Sequence, residues 1–318
     1  MNSHFPRNPP PRAPGKWIAP SQCEAFAQAG TSAHRVYSGP DAWLERFGQD
    51  LLLSYKTEAA RDSILAEWPG WSAAQTFVPR RIFGRYLPER NEDRAAPALL
   101  MGDPTAPLET VVEENHIRFG LDFAAGYSAG LFIDQRANRA LVRKGGIRRL
   151  LNTFAYTCSF SVAAALSGAE TVSIDLSRKS LDRGADNFVL NGLDPSKEKG
   201  HRFFADDVLE ALPRLGRKGE VFDAIILDPP TFSRGHKGRR FQVEKDFEAL
   251  LLAALELAAP RARILLSTNC ARLDRRALEN IGRFCLKASR RAADFRSELE
   301  LPDIPTNAAA QTIWLFLK

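Results

Sequence analysis

From residue 147 onward, short apolar runs alternate regularly with amphipathic or alanine-rich stretches. Strands are predicted over 147–154, 170–175, 201–204, 222–227, 264–267 and 312–317. Helices are predicted from 161–167, over 178–190 and over 247–259, the last stopped by Pro260. Strands separated by helices make βαβ units, so the expected fold is α/β, a doubly wound and mainly parallel sheet. The first half of the chain reads differently. Extended runs over 34–37, 49–55 and 77–86 flank a short helix over 58–68, which describes a small α+β module. Residues 88–107, with several prolines and mixed charge, read as a linker or long loop. The Pro- and Arg-rich start has neither periodicity nor an apolar core typical of a signal peptide. The expected organisation is a disordered leader over 1–25, a small α+β domain over 26–108, and a larger domain over 109–318; residues 111–123 fit either side of that boundary.

The run Ala224-Ile225-Ile226-Leu227 between Asp223 and Asp228-Pro229-Pro230 is short and wholly apolar, as in a strand buried on both faces. The prolines end it, because neither donates to a ladder, and leave a stiff turn at its carboxyl end. In open parallel sheets that end is where ligands bind. An acidic side chain, free carbonyls and Phe232 there suit a planar, hydrogen-bonding ligand such as a nucleobase. The turn after the first strand, 155–160, lacks G-x-G-x-x-G and so offers no glycine bed for a pyrophosphate, which argues against a dinucleotide-dependent dehydrogenase. Asp175, closing the second strand, stands where this fold accepts from ribose hydroxyls, or it begins the following helix together with Ser177. One of Asp206 and Asp207 is placed to accept from an adenine amino group, the alternative being a bare acidic loop. Ribose, adenine and an amino-acid moiety without pyrophosphate describe S-adenosylmethionine.

These residues resemble a family. Thr153-Phe154-Ala155-Tyr156-Thr157, Ile174-Asp175-Leu176-Ser177, Asn187 with Leu190-Asn191-Gly192-Leu193, Ala205-Asp206-Asp207 and Asp228-Pro229-Pro230-Thr231-Phe232-Ser233 are similar to successive motifs of the class I methyltransferases that modify bacterial large-subunit ribosomal RNA. Gly130-Leu131-Phe132-Ile133-Asp134-Gln135-Arg136 resembles that family's Gly-x-Phe/Tyr-x-Asp-His/Gln-Arg signature, and His34-Arg35-Val36-Tyr37 with Arg46-Phe47-Gly48 resembles its small preceding domain. The resemblance implies a seven-stranded Rossmann-like sheet and S-adenosyl-L-methionine as cofactor, with no metal needed. It places the cofactor on Asp134, Arg136, Phe154, Tyr156, Thr157, Asp175, Asn187, Asp207 and Asp228, and catalysis on Asp228, Pro229, Phe232 and Cys270. Relatives have glycine where this chain has Cys158 or Ser159, and no stretch reads as the PUA-type domain that some members carry.

Chemistry separates the possible target atoms. Cytosine C5 is a poor nucleophile, so its methylation needs a thiolate to add at C6 and a base to remove the C5 proton. Cys270, just past the fifth strand, stands where the cytosine-C5 branch carries its nucleophile. Guanine N7 has a free lone pair and needs only positioning. The wording from Asp228 to Ser233, Phe241 to Asp246 and Asn269 looks more like the N7 branch, which is preferred. An exocyclic amine is a third target, although Thr231 separates the prolines from the aromatic that such sites place directly after them. A catalytically silent RNA-binding or assembly protein is the alternative outside enzymes. The chain has 318 residues, 44% of them hydrophobic, enough for a sizeable core, and a formal charge of +6 that permits a polyanionic partner. Arg234, Lys237, Arg239 and Arg240 would line the mouth of the site and position RNA through its phosphates. The four cysteines lie far apart with no CxxC pair, and no apolar run is long enough for a membrane span, so a cytoplasmic protein acting on ribosomal RNA, as naked 23S or in an assembly intermediate, is expected.

Overall fold

Seven strands form the large sheet of the computed structural model, which describes residues 15–88, 94–198, 200–234, 240–297 and 300–318. Small elements come first in the chain: β1 (Lys16–Trp17), α1 (Pro20–Gln28), β2 (Ala33–Ser38), β3 (Ala42–Phe47), β4 (Asp50–Tyr55), α2 (Glu58–Ser72), β5 (Arg81–Tyr86) and β6 (Ala98–Gly102). They build a six-stranded sheet in the order β1-β2-β3-β4-β5-β6. Only β4 and β5 run parallel, joined by α2, whose Ile64 and Trp68 pack on Leu51, Leu53 and Ile82. Two expectations are corrected here. Residues 15–25, expected in the leader, contribute β1 and the start of α1. The segment expected as a linker over 88–107 contains β6, which pairs antiparallel with β5. Its prolines lie outside the strand, where no ladder hydrogen bond is required of them.

A hairpin of β7 (Glu109–Glu114) and β8 (Ile117–Asp122) follows. Then come α3 (Arg136–Lys144), β9 (Arg149–Thr153), α4 (Ser159–Ala165), β10 (Glu170–Asp175), α5 (Arg178–Leu190), β11 (His201–Ala205), α6 (Val208–Arg217) and β12 (Phe222–Leu227). The chain ends with β13 (Phe232–Arg234), β14 (Arg240–Gln242), α7 (Val243–Leu257), β15 (Ala258–Thr268), α8 (Arg275–Ala288), β16 (Ala293–Arg296) and β17 (Gln311–Leu317). The large sheet has the order β11-β10-β9-β12-β15-β17-β16, and only β17 is antiparallel to its neighbours. Alternation along β12 shows why it is covered twice. Ala224 and Ile226 pack toward α3, α4 and α5, while Ile225 and Leu227 pack toward α6, α7 and α8, and all four are fully buried.

Pro260 does not end a helix: α7 stops at Leu257 and Pro260 lies inside β15. The β12–β15 register jumps from Phe222↔Ala258 to Ala224↔Arg263, so the missing N–H falls in an irregular stretch where it costs no ladder bond. The small sheet is tied to the large one by Asp303, in the connection before β17. Its buried carboxylate pairs with Arg136 of α3 and accepts from the Arg35 backbone N–H at 2.8 Å. Among the described residues no helix is long and apolar enough to cross a membrane.

Candidate active site

The sheet order reverses between β9 and β12: the chain works outward from β9 to β11, then crosses back to β12 and builds the other side. Loops leaving the carboxyl ends of these two strands diverge, and the crevice between them is the expected ligand position of such a sheet. A cavity of about 320 Å³ lies there. Its walls are Phe154, Ala155 and Tyr156 after β9, Asp175 ending β10, Asp228, Pro229 and Pro230 after β12, Asn269 after β15, and the segment 128–135 that crosses in front. That segment is held by three bonds to its carbonyls. Tyr156 Oη donates to Ser128 at 2.8 Å, Arg183 Nη2 to Ala129 at 2.7 Å, and Thr157 Oγ1 to Gly130 at 2.6 Å.

The turn after β9 is backbone of an uncommon kind. Phe154, Tyr156 and Cys158 take φ of 53°, 48° and 58°, the left-handed region where glycine is at ease and other residues are strained. Cys158 therefore adopts a backbone conformation that favours glycine. Its side chain leaves the cavity alone and packs on Gly184 of α5, where an added Cβ would stand 2.5 Å from its Sγ. Gly184 makes room for Cys158; burial pushes the thiol up to about 12. Ser159 does line the cavity.

The cavity's carboxylates differ in their partners. Asp175 accepts from the Tyr156 N–H at 2.8 Å through Oδ2 and from the Ser177 N–H at 2.8 Å through Oδ1, so each oxygen keeps a lone pair for a ligand. Ser177 itself caps α5 by accepting from Ser180, so the capping alternative raised for Asp175 falls to its neighbour. Burial raises the Asp175 pKa, and the two backbone bonds oppose that rise. Asp228 is pushed up to about 6, mostly by burial and further by the nearby Asp134 charge. Gln135 Nε2 donates to Asp228 Oδ2 at 3.2 Å and to Ser267 Oγ at 2.8 Å. Gln135 is held in turn by Asn138 at 2.8 Å, and Asn138 by Trp314 Nε1 at 2.8 Å. Asp134 accepts from the Ala310 N–H at 3.0 Å, and burial raises its pKa as well.

Of the residues expected from sequence, the cavity gathers Asp134, Phe154, Tyr156, Asp175, Asp228 and Pro229. Phe232, in β13 at the edge of the same turn, is 38% exposed. Others stand elsewhere. Arg136 is spent on Asp303, and the cation in the cavity wall is Arg139, one helical turn on. Thr157 and Asn187 brace the surroundings: Asn187 donates to the Thr157 carbonyl at 2.9 Å and accepts from the Gly120 N–H at 2.8 Å, fastening the β7–β8 hairpin to α5. Asp207 caps α6 by accepting from Leu209 at 2.9 Å, and Asp206 pairs with Arg214. Cys270 is 6% exposed, with its thiol 3.5 Å from Glu244 Oε1, while its neighbour Asn269 faces the cavity. Of the expected basic loop, Lys237 and Arg239 lie outside the described residues, and Arg240 is exposed at the start of β14.

The profile of the S-adenosylmethionine-dependent methyltransferase family matches residues 57–313, well over half of the chain. The chain belongs to this family. Ribosomal RNA large subunit methyltransferase I of Tolumonas auensis is 37% identical over 256 residues, covering 76% of this chain and 62% of that protein. The enzyme of the same name from Aeromonas salmonicida is 37% identical over 177 residues, 55% of this chain and 43% of that one. The chain thus spans between two fifths and two thirds of these relatives. The crystal structure of SMU.776, described as a methyltransferase complexed with SAH, superposes with a TM-score of 0.79 at 25% identity, over 94% of this chain and 78% of that one.

The methyltransferase cavity fits the family's cofactor by its lining: Asp175 has unspent acceptors, Phe132, Phe154 and Tyr156 are aromatic walls, and Arg139 contributes a guanidinium whose charge is paired with Glu114. Phe132, Gln135 and Arg139 line the cavity and are absent from the residues expected from sequence. The first two lie inside the recognised signature but had no assigned role, and Arg139 carries no motif signal. Asp175→Ala is expected to weaken S-adenosylmethionine by about 1.5–3 kcal/mol, the scale of hydrogen bonds to a charged group. Titration calorimetry on the folded variant checks this, and an unchanged Kd would reject the ribose role.

Proposed function

We propose that the chain methylates a base of RNA, in bacterial large-subunit ribosomal RNA, with guanine N7 as the target atom. The carrying observation is one cavity at the sheet's switch point walled by Asp175 on one strand and Asp228-Pro229-Pro230 on another, with half-exposed Phe232 beside it. S-adenosylmethionine, when bound, supplies an electrophilic methyl group on a sulfonium sulfur. Asp175 accepts from the ribose hydroxyls, and Asp134, Phe154, Tyr156 and Arg139 enclose the rest of the cofactor. Asp228 and the Pro229 carbonyl are the acceptors that orient the base, and Phe232 stacks on it once it is unpaired. No proton has to be taken from N7 before attack, which suits a cavity whose work is positioning. The small module over 26–108 is proposed to contact RNA.

The setting of Cys270 supports N7 over C5. A nucleophile must reach C6 of the base, whereas this thiol is turned to Glu244 and is absent from the cavity wall. Cys270→Ala is therefore expected to retain most methyl transfer, and RNA carrying 5-fluorocytosine should form no adduct on denaturing gels. A trapped adduct through Cys270 would reverse the assignment. The turned-away Cys158 side chain likewise supports an enzyme over a silent binding module. Nucleoside mass spectrometry of ribosomal RNA with and without the gene tests the whole reading: loss of a 7-methylguanosine is expected, and an unaltered nucleoside profile would reject it.

A further inference from the structure

We propose that a second hollow, between the small sheet and the segment before β17, binds unpaired RNA flanking the target base, with Trp43 as stacking platform and Lys16, Lys56 and Arg275 as phosphate contacts. This rests on the reading that the substrate is RNA. The hollow measures about 1060 Å³, far larger than the methyl-transfer cavity. Trp43 and Lys56 from the small sheet form one wall, and residues 300–306 with Ala308 form the other.

Position is the first argument. A narrow hollow of about 50 Å³ shares Glu300, Leu301, Ile304 and Thr306 with the large one and Asp134 with the active-site cavity. The narrow hollow thus borders both the active-site cavity and the large hollow, which puts Arg275 between the active site and Trp43.

Charge is the second. Arg275, the first residue of α8, lines the narrow hollow, makes no ion pair among the described residues, and has an Nε without a hydrogen-bond partner. Lys16 is exposed on the wall of the large hollow. Lys56 donates to the Pro40 carbonyl at 2.9 Å and reaches Asp41 at 3.8 Å, a weak surface pairing that a phosphate can replace. Of the acids nearby, Asp303 is neutralised by Arg136 and Asp41 is matched by Lys56, which leaves Glu300 against Lys16 and Arg275. A polyanion is favoured, and its affinity should depend on salt through counterion release.

The aromatic residue narrows the class. Trp43 is half-buried with the Arg35 guanidinium 5.3 Å from its ring centroid, so the indole is fixed in the wall. A fixed aromatic face in a concave trench accepts splayed bases, whereas a duplex keeps its base faces stacked on one another.

The test compares wild type, Trp43→Ala, Trp43→Phe and a Lys16→Gln/Lys56→Gln/Arg275→Gln triple variant. Binding of a fluorescein-labelled single-stranded oligouridylate is read by anisotropy across a salt series. Trp43→Ala is expected to weaken it about 5- to 100-fold, the scale of base–aromatic stacking, and Trp43→Phe to keep most of it. The triple variant should lower the slope of log K against log salt by about 2, since each single-strand phosphate contact contributes about 0.7. S-adenosylmethionine affinity should stay unchanged in all of them, and the KM for ribosomal RNA should rise with little change in kcat. If wild type methylates RNA and the folded Trp43→Ala and triple variants bind and react as it does, or if folded Trp43→Phe loses binding as fully as Trp43→Ala, the trench is not the RNA path by stacking on Trp43. If wild type binds S-adenosylmethionine but neither binds nor methylates RNA, the underlying reading falls and this one with it.

Discussion

Glu114→Ala is expected to cost about 3–5 kcal/mol of folding stability, the penalty of leaving one member of a buried ion pair without its partner. Glu114 ends β7, and its carboxylate grips Arg139 of α3 with both oxygens, at 2.7 Å to Nε and 2.5 Å to Nη2. Both side chains are 1% exposed. Without Glu114, the guanidinium keeps only the Phe132 carbonyl at 2.8 Å and Ser159 Oγ at 3.4 Å, and water cannot replace the lost charge. A domain holds about 5–15 kcal/mol in total, so the loss is a large part of it. Urea unfolding monitored by circular dichroism measures the effect, and Glu114→Gln, which keeps shape and one acceptor, should lose less. A shift under about 1 kcal/mol for the alanine variant would show that the pair contributes little. Arg139 also lines the cavity, so cofactor affinity should fall together with stability. If affinity holds, the cation plays no part in binding.

The large sheet was legible where β12, β15 and β17 carry short apolar runs between turn signals, as strands buried on both faces do. The predicted bounds of β10, α5 and β12 match the structure residue for residue. The misses have physical causes. α6 places Val208, Leu212 and Leu215 on one face, but Pro213 lies inside it and breaks the reading. The helix predicted over 58–68 runs on to Ser72 as α2, with Pro69 inside its last turn. α8 hides its stripe of Leu278, Gly282, Cys285 and Leu286 among charged residues. In the cavity wall, the residues at strand ends were readable from the order of the strands: Asp175 and Asp228 follow directly from where β10 and β12 stop. Arg136 and Arg139 were not separable by sequence. They lie three apart on one helix, and only the tertiary partners, Asp303 for one and Glu114 for the other, decide which guanidinium turns to the cavity.

Asp228→Asn is expected to lower methyl transfer by about 10²–10³-fold near neutral pH, the scale for removing one preorganised electrostatic partner of a reacting group. The wild-type rate should also fall as pH drops through about 6, where the buried carboxylate takes up its proton, and the Asp228→Asn variant should show no such limb. Stability moves the other way. The Asp228 pKa is raised from 3.8 to about 6 on folding, so the native state binds the proton more tightly than the unfolded chain. The group therefore contributes stability that is complete below 3.8 and lost as pH rises through about 6. Above that, the folded protein carries an ionised carboxylate that burial disfavours, beside Asp134, with Gln135 and Ser267 as its donors. The neutral amide of the variant would need no such ionisation, although Gln135 would then have to turn its own amide to suit the new side chain. The variant should thus be more stable than wild type at neutral pH, and the gain should vanish in acid, as thermal unfolding across that range can measure. Opposite signs for activity and stability at one residue are what a strained functional carboxylate produces, since a structural one would lose both. A variant that matched wild type in rate from about pH 5 to about pH 8 would remove Asp228 from the reaction.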